Sequence, residues 1–389
     1  MGHHNTQMFA RQIESYLHQT QKSHRVVTLV GPRQSGKTTL LKNAFPDAKY
    51  ATLESPDIRA LALNDPRGFL NSDAKTKLHI IDEIQRAPDL LSYIQEIVDQ
   101  PKNSQRFLLT GSHNLLLMEK VSQSLAGRAR LLTLLPMSYR ELKQAAVAPK
   151  QLDEAMRYGG YPRIYNEKLD PWEWLGDYYQ TYVEKDVRAL QNISDLGLFE
   201  RFVELCAGRI GQLCNLNQLG NECGISHTTA RKWLSLLETS FVLFLLRPHH
   251  KNFNKRIIKT PKLYFYDTGL LCYLLKIRNN EQLRQYPLRG SIFENWVIAE
   301  MIKQKFHQGD KPDYYFWRDQ KGHEIDLIED TGQSLLPLEI KSAETFHPDF
   351  IKNINYINQL QSQQGGLCVY GGKDGGTFKG VQRIPWHEV

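Results

Sequence analysis

The residues best suited to chemistry begin with Gly31, Pro32, Arg33, Gln34, Ser35, Gly36, Lys37 and Thr38. They keep the P-loop spacing of a glycine, four free positions, a glycine, a lysine and a hydroxyl residue. In that pattern backbone N–H groups turn onto phosphate oxygens, Lys37 reaches the terminal phosphates, Thr38 ligates magnesium and Thr39 continues into a helix. A chance match in a glycine-rich turn is the bland alternative. Two adjacent acids, Asp82 and Glu83, end the apolar run Leu78-His79-Ile80-Ile81. Beside the loop, Asp82 is expected to hold magnesium through water and Glu83 to polarise the water attacking the γ-phosphate. The implied chemistry is magnesium-dependent ATP hydrolysis. A γ-phosphate sensor is expected at Ser112 or Asn114, although either also suits a turn and helix cap. Arg128 is a candidate for neutralising transition-state charge on its own nucleotide or a neighbour's; a plain surface arginine fits equally.

A second set lies in the last third of the chain. In Leu338-Glu339-Ile340-Lys341 the strand period of two puts Glu339 and Lys341 on one face. Asp326, in the alternating run 324–328, and Glu294, at a helix start, can complete an acidic pocket for magnesium or manganese. A metal there positions water and neutralises a scissile phosphate, while Lys341 activates the water or stabilises the transition state; His323 is an accessory candidate. A Glu-x-Lys pair on an exposed strand is more often a salt-bridging surface, so the ordered set carries the reading. That set resembles the PD-(D/E)xK nuclease core.

Local patterns name the elements that must position these groups. Residues 26–30 are a short β-branched strand, the loop follows, and a helix opens at Thr39. Residues 50–53, 106–110 and 131–135 read as further strands, and 56–69 as a helical segment broken at Pro66. This is α/β alternation. Residues 7–25 read as an amphipathic lead-in helix with Phe9, Ile13, Tyr16 and Leu17 inward. Trp172, Trp174, Tyr178, Tyr179 and Tyr182 are expected to be core rather than a base-stacking platform. Residues 216–222, the turn Cys223-Gly224-Ile225 and a helix capped by Ser226 spell a helix-turn-helix. His227, Thr228, Arg231, Lys232 and Ser235 would face outward, on the helix that enters a DNA major groove in proteins of this type. Residues 241–246 and 263–266 make a strand pair, whose connection holds Arg247, Lys251, Lys255, Arg256, Lys259 and Lys262 without an acid. Such a basic wing suits phosphate contact; protein packing is the alternative use of a winged helix.

At 389 residues the chain is long enough for roughly two or three domains. No apolar run approaches the ~20 residues that cross a bilayer, so no membrane role is expected. Five cysteines, odd in number and without metal-ligand spacing, suggest reduced thiols in the cytoplasm. A net charge of +7 permits nucleic-acid contact without requiring it.

The residues 31–41, Ile81-Asp82-Glu83-Ile84-Gln85, Leu109-Thr110-Gly111-Ser112, Leu125-Ala126-Gly127-Arg128, Pro136-Met137-Ser138-Tyr139-Arg140-Glu141-Leu142 and Tyr158-Gly159-Gly160-Tyr161-Pro162 together resemble the prokaryotic AAA-type ATPases that carry a C-terminal domain of unknown function. The resemblance implies an α/β chain: a five-stranded parallel P-loop core over residues 1–144, a helical lid over 145–200, a winged helix over 201–280 and a restriction-endonuclease-like α/β domain over 281–389. The expected function is ATP hydrolysis coupled to binding, and in one reading cleavage, of double-stranded DNA, with homo-oligomerisation possible. The alternative is a nucleotide-controlled switch that binds protein partners and carries an inactive nuclease fold.

Overall fold

The computed structural model describes residues 9–71, 76–111, 125–182, 195–249, 260–319 and 321–389. Strand β1 (Val26–Val30) is buried along its whole length, as a run apolar on both faces requires. It lies inside a five-stranded sheet with β2 (Lys49–Thr52), β3 (Leu78–Asp82), β4 (Arg106–Gly111) and β5 (Ala129–Thr133), in the order β2-β3-β4-β1-β5. Every pairing in it is parallel. Strand alternation divides the apolar side chains between two cores: Val26, Val30, Ile81, Phe107 and Leu109 pack on one face, and Val27, Leu29, Ile80, Leu108 and Leu132 on the other. Because β1 and β3 run the same way, their C-terminal ends deliver the P-loop and Asp82 to one edge of the sheet.

The lead-in helix is shorter than its periodicity suggests, running Ile13–Ser23. Before it, the Gln12 amide donates 2.8 Å to the Glu141 carboxylate, and Arg11 turns inward. Those long-range bonds replace a first helical turn. The helix of the P-loop is Lys37–Ala44, and the helical segment interrupted by proline is two helices, Pro56–Asn64 and Pro66–Asn71.

The middle of the chain is helical. Trp174, Tyr178, Tyr179 and Tyr182 are buried, so the aromatic stripe is core. Helix Leu216–Cys223 ends on Gly224 at φ 78°, a left-handed turn that favours glycine, and Ser226 caps helix His227–Thr239 through the Thr229 amide at 3.1 Å. Ala230, Trp233 and Leu237 are buried while His227, Thr228, Arg231 and Lys232 are exposed. An antiparallel ribbon of β6 (Leu243–Leu246) and β7 (Lys262–Phe265) follows. Lys251, Lys255, Arg256 and Lys259 lie outside the described residues.

The long helix Arg289–His307 opens the last part. It packs on a six-stranded sheet of β8 (Tyr314–Arg318), β9 (Glu324–Asp330), β10 (Leu335–Lys341), β11 (Leu367–Tyr370), β12 (Gly376–Phe378) and β13 (Val381–Pro385), in the order β12-β13-β11-β10-β9-β8. The sheet is mixed: β8, β9 and β10 are antiparallel neighbours, whereas β10 with β11 and β11 with β13 are parallel. Helix Lys352–Gln361 crosses between β10 and β11. One hydrophobic core runs from the aromatic stripe through the helix-turn-helix to Phe293, Trp296 and Leu338, so the middle and last parts are packed together. All five cysteines are buried and unpaired. Among the described residues no helix is long and apolar enough to cross a membrane.

Candidate functional site

The loop after β1 needs glycine for steric reasons. At Gly31, with φ 153°, a Cβ would lie 2.1 Å from the Leu134 carbonyl oxygen, and Gly36 has φ 94°. Lys37 follows as the first residue of its helix and is buried, its ammonium donating to the Gly31 and Pro32 carbonyls at 3.0 and 2.8 Å. Burial pulls its pKa down to about 8, against the opposing pull of Glu83 and Asp82. At the helix start, where N–H groups have no intrahelical acceptor, this is an anion cradle.

Asp82 ends β3 opposite the loop. The Thr38 hydroxyl donates to both of its oxygens at 3.0 Å, Tyr50 donates at 2.9 Å, and Thr110 donates to the same carboxylate. Thr38 and Asp82 are a pair of hard oxygen donors that fits a magnesium ion. Glu83 has φ 58°, a left-handed conformation uncommon for a residue with a Cβ. Its N–H donates 3.2 Å to the Thr110 hydroxyl, and Gln85 donates to its carboxylate.

A cavity of about 600 Å³ opens beside Gly36, lined among others by Phe9, Thr39, Leu40, Asn43, Pro162 and Asn166. Arg11, Glu14 and Arg163 line it too, so apolar walls meet a few amide and charged groups, as in a small-ligand pocket. Thr39 and Gln34 face it, Arg33 is half-buried, and Ser35 is buried. Ser112 and Asn114 lie outside the described residues; Thr110, just before them on β4, is the polar group that joins Asp82 to Glu83. The sequence pattern assigned no role to Tyr50 or to Thr110, although Thr110 stands inside the run Leu109-Thr110-Gly111-Ser112.

Arg128 is not brought to this site within the chain. It precedes β5, and Ala129 pairs with Val26 at the start of β1, so it lies about a strand length, roughly 15 Å at ~3.3 Å per residue, from the loop. There it is exposed and pairs with Asp99 at 2.9 Å.

The second set does converge. Asp326 on β9 accepts from the Ile340 N–H at 2.8 Å and lies 3.2 Å from the Lys341 ammonium, which also donates to Glu339. Asn353 donates to Glu339 at 3.2 Å. Glu294, on the long helix, accepts from the Tyr264 hydroxyl at 2.5 Å and lies 3.3 Å from the Lys262 ammonium, which pairs with Glu324 as well. Burial, then the charge of Asp326, raises the Glu294 carboxyl to about 7 and the Glu339 carboxyl to about 8. His323 is turned aside, its ring stacked on Tyr356 and its Nδ1 2.9 Å from Asp319.

Lys262 corrects one expectation. Read as part of a basic wing, it is buried instead, reaching across from β7 into the carboxylates of the last domain. The lysines therefore stand where a cation would compensate these acids, and no group of three ligating side chains among the described residues is arranged to hold a metal. As arranged, the cluster does not fit magnesium or manganese.

A nucleotide-type loop, a facing strand acid and a parallel five-stranded sheet define an AAA-type P-loop ATPase fold, and the comparisons agree. Residues 23–143 match the AAA domain family; residues 149–281 and 289–389 match two domains of unknown function, DUF8612 and DUF4143. The chain is 32% identical over 323 residues to an uncharacterized protein of Mycobacterium tuberculosis, covering 82% of this chain and 71% of that one. It belongs to the same family. An uncharacterized protein of Haemophilus influenzae is 25% identical over 330 residues, covering 75% of this chain and 79% of its own length. Among solved structures, the Walker-type ATPase of Pyrococcus abyssi aligns over 69% of this chain and 96% of that chain at 14% identity and a TM-score of 0.46. The RuvB Holliday junction branch migration motor of Thermotoga maritima aligns over 61% and 90% at 20% identity and a TM-score of 0.29.

Proposed function

We propose that this chain binds ATP with magnesium at the P-loop, hydrolyses it, and uses the nucleotide state to control how its middle domain engages double-stranded DNA. The observation that carries the first part is the meeting of Lys37, Thr38 and Asp82 beyond the C-terminal ends of β1 and β3, with Glu83 next in the chain. In this reading the loop N–H groups and Lys37 hold the phosphates, and the cavity beside Gly36 takes the nucleoside. Thr38 and Asp82 would hold the magnesium, whose charge offsets that developing on the phosphates. Glu83 orients and deprotonates the attacking water, and Thr110 keeps it in register with Asp82. Arg128 serves a neighbouring copy's nucleotide in a homo-oligomer. Phosphate release by the wild type, compared with Glu83→Gln, tests the assignment; normal turnover in a folded Glu83→Gln protein would overturn it.

For DNA, support comes from the helix-turn-helix and its ribbon, read as a winged helix, with Arg231 and Lys232 exposed on the second helix. Duplex binding should weaken steeply with salt and fall in Arg231→Glu and Lys232→Glu. A second reading, cleavage by the last domain, is favoured by the meeting of Asp326, Glu339 and Lys341 on neighbouring strands, the expected nuclease arrangement. The lysines on those acids oppose it, and we derive no cleavage step. Incubating labelled single- and double-stranded DNA with magnesium or manganese, with and without ATP, decides: cutting lost in Lys341→Ala and Asp326→Ala supports a nuclease, and no cutting leaves a nucleotide-driven switch in the cytoplasm.

A further inference from the structure

The motifs around Ser138 and Gly160 have no part in the phosphate chemistry, and the structure shows what they build. Arg11, outside every motif, is buried and sends its guanidinium to three places. Nη1 donates to the Ser35 carbonyl of the P-loop at 2.7 Å, Nη2 to the Leu135 carbonyl at 2.8 Å, and Nε to the Glu141 carboxylate at 3.0 Å. We infer that Arg11 is a positioning residue for the phosphate cradle, one that fixes the peptide between Ser35 and Gly36 and ties it to the seat of the long helix Arg289–His307.

The inference rests on the ATP-binding reading above. A trans peptide is planar, with its C=O and N–H pointing opposite ways. Holding the Ser35 oxygen on Arg11 therefore fixes the Gly36 N–H on the opposite side of the peptide from Arg11. A flexible Gly36 would not keep that orientation unaided, because its φ of 94° is one of many that glycine adopts. A guanidinium is well matched to this anchoring role, being permanently charged and carrying its donors in a rigid fork.

Glu141 connects this anchor to the rest of the molecule. Its second oxygen accepts from the Ser138 N–H at 2.9 Å in a capping box, and His307 of the long helix lies 3.6 Å from its first. One turn back on that helix Lys303 donates to the Met137 carbonyl at 3.2 Å, and about two turns back Glu300 accepts from the Tyr139 N–H at 2.6 Å. The Met137 N–H in turn donates 2.7 Å to the Gly160 carbonyl. The long helix Arg289–His307 thus grips the segment 137–139, and Glu141, two residues further on, grips Arg11.

The test uses the full chain and a fluorescent ATP analogue, with Lys37→Ala as the control for loss of binding. Arg11→Met alone leaves the buried Glu141 charge without its guanidinium partner, so folding is followed by melting, and the double variant Arg11→Met with Glu141→Gln removes that charge. Positioning predicts that the double variant folds yet binds the analogue about tenfold or more weakly, with KM raised more than kcat falls; Arg11→Lys should recover part of the affinity. Wild-type affinity in the double variant would reduce Arg11 to an ion-pair partner and overturn the inference. A wild type that binds no nucleotide would overturn the ATP reading itself, and this inference with it.

Discussion

The P-loop site and the C-terminal carboxylate cluster both gather acids and a lysine at the ends of strands, yet they handle charge differently. Around Asp82 the hydrogen-bond donors are hydroxyls, from Thr38, Tyr50 and Thr110, and Lys37 is held by its own loop's carbonyls. Charge there is left for a ligand: phosphates for the lysine and helix start, a hard cation for the carboxylate. Around Glu294, Glu324, Asp326 and Glu339 the neutral donors Tyr264, Asn353 and the Ile340 N–H are joined by cations, Lys262 from the middle domain, Lys341 from β10 and Arg318 from β8. There the protein answers its own charge. Matching residue types therefore do not make matching sites; what each acid is already bonded to decides whether it can bind anything else.

The largest effect that would break the comparison is at Lys37. Lys37→Ala should abolish measurable binding of an ATP analogue, while Lys341→Ala in the other cluster should leave that binding intact. Next is Glu83→Gln, expected to keep nucleotide affinity and lower turnover by about 10²- to 10⁴-fold, the range for loss of a general base. Single-turnover measurements separate the two, since a lowered affinity would mean Glu83 binds rather than activates.

Lys262→Met sharpens the contrast from the other side. Removing one partner of a buried pair typically costs about 3–5 kcal/mol, but Glu294 can accept a proton, so we expect nearer ~2 kcal/mol in denaturant unfolding. The same variant should gain manganese uptake, seen by electron paramagnetic resonance, because Glu294 loses its internal cation and Glu324 keeps only Arg318, at 3.4 Å. Equal uptake by the wild type would show that the cluster is an open metal site after all, and the distinction between the two regions would fall.

How far the sequence disclosed these sites follows from the range of the interactions that make them. The P-loop is contiguous, its strand and helix are set by local pattern, and Asp82 ends an apolar run; all were legible. So was the carboxylate set, because strand alternation puts Glu339 and Lys341 on one face. Tyr50, Thr110 and Arg11 act through contacts 24 or more positions away in the chain, for which no local pattern exists. Lys262 misled because a lysine after a basic run reads as surface, and only its packing shows it buried. The distance of Arg128 from its own chain's loop has a topological reason. In a parallel sheet the ligand lies at the C-terminal ends of the strands, so a residue just before β5 belongs at the opposite edge.

The smallest expected effect separates the two ends of the long helix. Glu294 and His307 lie about 20 Å apart along it at ~1.5 Å per residue, and their surroundings titrate in opposite senses. At the His307 end, burial lowers the imidazole to about 4; burial would raise Glu141, but Arg11 and His307 bring it down to about 2. Folded values below the unfolded ones mean that the unfolded chain binds more protons, so stability from this end is present at neutral pH and drains away as pH falls from about 6.5 toward 4 and below. At the Glu294 end the folded values, about 7 and about 8 for Glu294 and Glu339, lie above the unfolded carboxylate range. That contribution is complete below the unfolded values and is lost as pH rises through 7 to 8. Hydrogen exchange of the described segments across this range should therefore show residues 137–141 loosening first in acid and β9 with β10 loosening first in base. Both regions loosening together at the same pH would mean that the long helix joins them into one cooperative unit, and the two clusters could no longer be treated as separate sites.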